Sequence, residues 1–223
     1  MHGQQIFLSF LVAAGMSAAV AGPASAQQAT GEEAFAEARN AMIAQLGEDP
    51  AARQIAPSSY DLTLVVFTDY QCPFCRQMHP RLTELAEEDG NVRIVFKDWA
   101  IFGEPSVEAA RGALAAKYQG KDKAFDDALM QIQGKLSSEK IRSAADAAGV
   151  DWQRLQSDMK THGEEIDAAL ARSDRQAGML GIGGTPAMFI GPYFVSGALP
   201  TDQLRQAVSI ARQYPDGNAP QAN

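Results

Sequence analysis

The sequence predicts an α/β fold with an inserted helical subdomain and an N-terminal helical arm. Three observations predict it. Two short apolar runs, Leu62 to Phe67 and Val92 to Lys97, bracket one helical stripe. From Pro105 to about Leu180 the apolar spacing is helical throughout. Two further short runs, Ala187 to Ile190 and Tyr193 to Val195, meet at Gly191-Pro192 and lead into a last helical stripe.

The elements follow in order. Ile6 to Val20 is an apolar run followed by Gly22-Pro23 and Ala24-Ser25-Ala26. Residues 1–26 read as a secretory signal peptide cleaved after Ala26. A single-pass anchor is the competing reading, but the run is short and broken by Gly15 and Pro23. Residues 27–59 read as an arm and a linker. Thr30-Gly31-Glu32-Glu33 has the form of a capping box, Phe35, Ala38, Met42 and Leu46 follow at helical spacing, and Gly47 ends the helix. Glu48 to Ser59 contains Pro50 and Pro57 and reads as the linker. The arm's apolar stripe must bury against its own domain or against another copy of the arm.

The main domain is expected over 60–212. Leu62 to Phe67 is apolar without alternation, the pattern of a strand buried on both faces. Asp69-Tyr70-Gln71 is the turn after it, Cys72 caps the next helix, and Pro73 takes the first helical position, where its missing N–H costs nothing. Cys75, Met78, Leu82 and Leu85 trace the buried face of that helix, and Gly90-Asn91 ends it. A right-handed crossover then carries the chain to a parallel second strand. The helical insertion, about 104–181, reads as five helices. Their stripes are Val107, Ala110, Leu114 and Tyr118; Phe125, Leu129 and Ile132; Ile141, Ala144, Ala145 and Ala148; Leu155 and Met159 behind an Asp151 cap; and Ile166, Leu170, Ala177 and Leu180. After the hairpin, Thr201 is expected to cap a final helix through Leu204, Val208 and Ile210. Residues 213–223 are polar and read as a frayed, flexible tail.

About 197 residues follow Ala26, enough for a sizeable core without disulfide staples. The net charge of −8 and the lack of any basic tract argue against nucleic acid or an anionic membrane as partner.

The chain has two cysteines, and both lie in Cys72-Pro73-Phe74-Cys75. A strand followed by Cys-x-x-Cys puts two thiols one helical turn apart at a helix start. Unpaired backbone N–H groups and the positive end of the helix dipole favour the thiolate there, the form that attacks a disulfide. Zinc would need four ligands, yet there is no second cysteine pair, and His2, His79 and His162 are scattered. A lone bridge across a two-residue gap does little for stability. The pattern points to a redox-active disulfide, Cys72–Cys75, with no metal and no other cofactor.

This order of elements, with Cys-x-x-Cys heading the first helix, resembles the thioredoxin fold of the DsbA-like thiol–disulfide oxidoreductase family over roughly Tyr60 to Arg212. Phe67-Thr68-Asp69-Tyr70-Gln71-Cys72-Pro73-Phe74-Cys75 is similar to the redox turn. Gly181-Ile182-Gly183-Gly184-Thr185-Pro186 is similar to the loop that holds the family's cis-proline, and Gly149-Val150-Asp151 to a junction inside the insertion. The likeness is closest to the Com-type and ScsC-type branch, whose members carry an N-terminal arm.

The resemblance implies catalytic Cys72, an exposed nucleophile, and resolving Cys75. It implies that Pro73, Phe74, Thr185 and Pro186 meet the substrate peptide. Many family oxidases carry a buried glutamate six residues before the first cysteine; here that position is Val66. Asp69 and Lys97, near the ends of the two strands, are the candidates for a proton relay to Cys75, unless they are ordinary solvated charges. Phe74 stands where the strongest oxidants carry histidine, which implies a Cys72 thiol less extremely acidified. The implied activity is periplasmic disulfide exchange with unfolded or misoxidised exported proteins, as an oxidase served by a DsbB-like oxidant. The alternatives are an isomerase or reductase served by a DsbD-like reductant and working as an arm-mediated homo-oligomer, and a non-catalytic interaction protein on the same scaffold.

Overall fold

The computed structural model describes residues 34, 37 and 40–219. The signal segment, the capping box at Thr30, and Phe35 and Ala38 of the arm stripe lie outside the described residues.

Five strands form one sheet: β1 (Arg53–Ile55), β2 (Leu62–Thr68), β3 (Val92–Asp98), β4 (Ala187–Ile190) and β5 (Tyr193–Ser196), in the order β1-β3-β2-β4-β5. β2 and β3 are parallel, with Phe67 opposite Lys97 and Thr68 opposite Asp98. The other pairings are antiparallel. The helices are α1 (Pro73–Asp89), α2 (Glu104–Ala116), α3 (Asp122–Met130), α4 (Ser138–Ala147), α5 (Trp152–Thr161), α6 (Gly163–Met179) and α7 (Thr201–Gln213), with a short 3-10 turn at Lys117–Gln119. The β-α-β unit, the five-helix insertion and the β-β-α return thus stand where the sequence predicts them.

Alternation along the strands gives each face of the sheet its own core. Leu64 and Val66 of β2, Ile94 and Phe96 of β3, and Met188 and Ile190 of β4 pack with Met78, Leu82 and Leu85 of α1 and with Leu204 and Val208 of α7. Val65, Phe67, Ala187 and Phe189 face the other way, onto Ile43 and Leu46 of the arm helix and Ala177 and Ile182. That double burial is why β2 is apolar without alternation. The insertion has a third core, built on Ala109, Ala113, Phe125, Leu129, Ile141, Leu155 and Ile166. Gly90 ends α1 at φ 70°, a conformation that favours glycine.

Two expectations are corrected. The linker segment Glu48 to Ser59 contains β1, the edge strand on β3, and two buried charged residues, Asp49 and Arg53. Arg53 Nη2 lies 2.8 Å from Asp98 and Nη1 2.6 Å from Asp126 of α3, joining the sheet to the insertion. Thr201 is the first residue of α7 and not its cap; Pro200 holds that place, without a side-chain hydrogen bond. In the described part of the tail, the Tyr193 hydroxyl donates to the Tyr214 carbonyl at 2.9 Å and accepts from the Ala219 N–H at 3.2 Å.

Candidate active site

β2 delivers the chain to a turn in which the Cys72 N–H donates to the Asp69 carbonyl at 3.1 Å. Cys72 is the N-cap of α1, in extended conformation, and Pro73 opens the helix. Its sulfur therefore sits among the first N–H groups of α1, which have no partner within the helix. Cys75 is one turn on, in the face of α1 that packs on the sheet. Both cysteines are free thiols.

A second segment closes over the sulfur. The Cys72 thiol lies 3.2 Å from the Thr185 carbonyl, to which it donates. The Thr185–Pro186 peptide bond is cis, and Pro186 leads directly into β4 beside β2. The Thr185 hydroxyl is buried and has no partner among the described residues. Cys72 is only 2 % exposed, as is Cys75. The expectation of an exposed Cys72 is corrected: the loop before β4 covers its sulfur. Pro73 and Phe74 are the exposed members of the motif, Phe74 by 57 %.

The two thiols are driven apart electrostatically. Cys72 is drawn down from an ordinary 9.0 to about 6. The Cys75 thiol, donating to the Cys72 sulfur, is the largest cause; burial opposes it, and the Thr185 hydroxyl and the N–H groups of Cys75 and Phe74 add to it. The orphan Thr185 hydroxyl thus finds its partner when the thiolate forms. Burial pushes Cys75 far above its ordinary value, and the Cys72 sulfur pushes it further, against the Asp69 N–H and the Thr68 hydroxyl. One sulfur is disposed to be a thiolate at neutral pH and the other to remain a thiol.

Neither relay candidate is a solvated loop charge. Asp69 is buried, and its carboxylate accepts from the Gln71 N–H, the Ile101 N–H, the Phe102 N–H and the Ser106 hydroxyl. Lys97 is also buried, and its ammonium lies 2.6 Å from Asp49 Oδ2. Its alternation places it on the arm face of the sheet, opposite Phe67, whereas α1 packs on the other face. The groups acting on Cys75 come instead from Thr68 and the Asp69 backbone. Sequence reasoning passed over Thr68; its place at the end of β2, three residues before the Cys72 neighbour Gln71, was the available signal.

Arg76 was also passed over. Its Nε donates to the Tyr70 carbonyl at 2.7 Å and Nη1 to the Gly134 carbonyl at 2.6 Å, tying the redox turn to the insertion. His79, Asp126 and Asp127 bring three ligand-type atoms within 4.8 Å of one another. Arg53 and Tyr70 already engage Asp126, and Lys123 and His79 engage Asp127, so the cluster is an ion-pair network.

Residues 63–209 match the DSBA-like thioredoxin domain family. The chain belongs to this family. Among solved structures, it is similar to a thioredoxin-like oxidoreductase from Silicibacter pomeroyi, with 40 % identity, a TM-score of 0.71, and 75 % of this chain and 96 % of that one covered. It is similar to a periplasmic thioredoxin-like protein from Salmonella enterica serovar Typhimurium, with 31 % identity, a TM-score of 0.69, and 78 % and 97 % covered. It is also similar to the catalytic domain of Proteus mirabilis ScsC, with 27 % identity, a TM-score of 0.70, and 78 % and 98 % covered. Thus the DsbA-like chain has the thioredoxin fold with its helical insertion and shares the oxidoreductase scaffold of these neighbours. A curated relative, the Na(+)/H(+) antiporter NhaA 1 of Salinispora arenicola, is 26 % identical over 157 residues, 70 % of this chain and 24 % of that protein. The chain spans about a quarter of the length of the curated relatives it matches. Among the described residues of this DsbA-like chain, no helix is long and apolar enough to cross a membrane.

Proposed function

We propose that the chain is a periplasmic thiol–disulfide oxidoreductase that oxidises exported proteins through Cys72 and Cys75. The observation that carries the reading is the opposed environment of the two sulfurs, with Cys72 at about 6 and Cys75 held protonated. At pH 7 a thiol with that value is roughly nine-tenths thiolate. Stabilising the thiolate stabilises the reduced enzyme, and that makes its disulfide the more oxidising.

In the oxidising direction a substrate thiolate attacks the Cys72 sulfur of the Cys72–Cys75 disulfide. The S–S bond breaks, Cys75 leaves as a thiolate that takes up a proton, and a mixed disulfide forms. A second substrate thiolate attacks the substrate sulfur of that mixed disulfide. Cys72 leaves as a thiolate into its four donors, and two electrons have passed from substrate to enzyme. Thr185 and Pro186 lie over the sulfur, where a substrate chain must pass, and Pro73 and Phe74 flank it. The substrates are unfolded or misoxidised exported proteins, and a DsbB-like membrane oxidant restores the disulfide. Residues 1–26 direct export and are removed. The protein works as a monomer, a reading supported by Ile43 and Leu46 of the arm, which pack on their own domain. Asp69 and Lys97 have no part in proton transfer in this scheme.

The test is the redox state of Cys72 and Cys75 in intact periplasm, read by alkylation shift, alongside a Cys75→Ser variant. A pair that is mostly oxidised, with mixed disulfides accumulating in the variant, is the expected result. A mostly reduced pair would replace oxidation by isomerisation or reduction. No mixed disulfide from the folded variant would leave only a binding role.

A further inference from the structure

Cys72 and Arg76 stand one turn apart at the start of α1, where the Arg76 N–H donates to the Cys72 carbonyl at 3.1 Å. Side chains four positions apart share a helix face, and a helical side chain leans towards the N-terminus. Arg76 is fixed in that direction. Its Nε donates to the Tyr70 carbonyl at 2.7 Å, two residues before Cys72, and its Nη1 to the Gly134 carbonyl at 2.6 Å, in the segment after α3. Nη2 is buried with no partner among the described residues. Two carbonyls therefore hold the guanidinium beside the redox turn, and no carboxylate takes any of its nitrogens.

This placement runs against what a helix start favours. The unpaired N–H groups and the dipole make the N-terminus of a helix positive, so acids are stabilising in the first turn and cations in the last. α1 has no acid in its first turn, and its fourth residue is this arginine. Burial draws Arg76 down from its ordinary value, yet an arginine keeps its charge at neutral pH. A cation added to a positive helix end favours an anion on the same face, and the Cys72 sulfur becomes one whenever it leaves as a thiolate. Asp69, Cys72 and Cys75 are the groups that favour the charge on Arg76. Of these Asp69 is the standing anion, buried in the redox turn. A carboxylate so placed disfavours a second negative charge on Cys72, and Arg76 offsets it. The groups facing the sulfur are then Asp69 from the turn, Cys75 and Arg76 from α1, and the uncharged Thr185 from the loop before β4.

We propose that Arg76 is a positioning residue of the exchange reaction: its fixed guanidinium favours negative charge on the Cys72 sulfur and so makes Cys72 the better leaving group from a mixed disulfide. When a substrate thiolate attacks the substrate sulfur, the bond to Cys72 breaks, the electron pair stays on the Cys72 sulfur, and the charge appears on the helix face that Arg76 shares. The inference rests on the oxidoreductase reading and assigns part of its redox poise to a residue outside the Cys-x-x-Cys motif.

The chain from residue 27 to 223 would be compared as wild type, Arg76→Gln and Arg76→Lys. Glutamine keeps a donor and loses the charge; lysine keeps the charge and loses the planar fork. Two readouts are the pH titration of the Cys72 thiolate absorbance and the equilibrium of the disulfide with glutathione. In Arg76→Gln, Cys72 should titrate above about 6. The equilibrium should move roughly tenfold towards the disulfide, a fall of about 30 mV in potential, because the reduced form has lost a favourable charge. Arg76→Lys should recover most of both changes. A guanidinium that only staples the turn to Gly134 would lower the urea midpoint of both variants and leave titration and equilibrium where they are, which overturns the inference. If Arg76→Gln does not fold, Arg76→Met, which keeps the aliphatic stem without the charge, carries the same test. Wild-type protein that exchanges no disulfide with glutathione would refute the oxidoreductase reading itself; wild-type exchange with an unmoved neutral variant refutes only the role of Arg76.

Discussion

Cys72 and Cys75 are the same side chain three positions apart, both 2 % exposed, and their surroundings push their pKa values in opposite directions. Burial raises both, so the difference lies in donors. Cys72 at the helix start collects them, led by the Cys75 thiol; Cys75, one turn in, has two weaker ones and faces the charge that Cys72 develops. The ranking makes a prediction. Cys75→Ala removes the largest stabilising donor, so the Cys72 thiolate loses ground and its pKa should rise from about 6 towards the ordinary 9.0. Thr185→Val removes a lesser donor and should raise it less. Iodoacetamide reacts with the thiolate, so the wild-type rate should fall as pH drops through about 6, and the Cys75→Ala profile should fall at higher pH. Coincident profiles would mean that the helix start alone acidifies Cys72. The sulfur pair was legible because strand, Cys-x-x-Cys and helix are contiguous in sequence. The Thr185 hydroxyl and the cover over Cys72 come from a segment 113 residues away, whose approach no local pattern reports.

At the scale of elements, strand alternation and helical stripes were legible because burial of a repeating face leaves a period in the sequence. β1 left none. It has three residues, two prolines flank its neighbourhood, and its one fully enclosed side chain is an arginine. Arg53 is anchored by charges from β3 and α3 and lies over the rings of Tyr70 and Phe96. Burial pushes Asp98 above its ordinary value, with Arg53 opposing. Arg53→Ala would leave Asp98 and Asp126 in the interior without their cation, a loss of about 3–5 kcal/mol. The expected result is a markedly lower urea midpoint for the folded variant. A change under about 1 kcal/mol would show that solvent reaches these carboxylates and that β1 is peripheral.

For the molecule as a whole, the question is what the arm covers. The expected stripe is Phe35, Ala38, Met42 and Leu46; in the described helix the apolar side chains that bury are Ile43 and Leu46, one position off at Ile43. The phase was set by where the helix lies on the sheet, which its own sequence does not specify. Beyond Gly47 the chain is fastened by charge. Arg93 donates to the Gly47 carbonyl and pairs with Glu48. Asp49 accepts from Nε and Nη2 of Arg172 and from the Lys97 ammonium. Burial would raise Asp49, but Arg172 and Lys97 outweigh it and hold the carboxyl at about 2. Burial lowers Lys97 in spite of Asp49. Removing residues 27–47 should therefore do two things. It should lower stability by roughly 3–6 kcal/mol, the burial of two aliphatic side chains. It should also uncover Val65, Phe67 and Phe189, an apolar face that drives association. Urea unfolding with light scattering, on the chain from residue 27 and on the truncated chain, measures both. The expected outcome is a stable monomer that becomes weaker and associates when shortened. An unchanged midpoint would mean that the arm only rests on the sheet. A full-length oligomer that becomes monomeric on truncation would mean that the arm joins copies, and would favour an isomerase holding its substrate between several active sites.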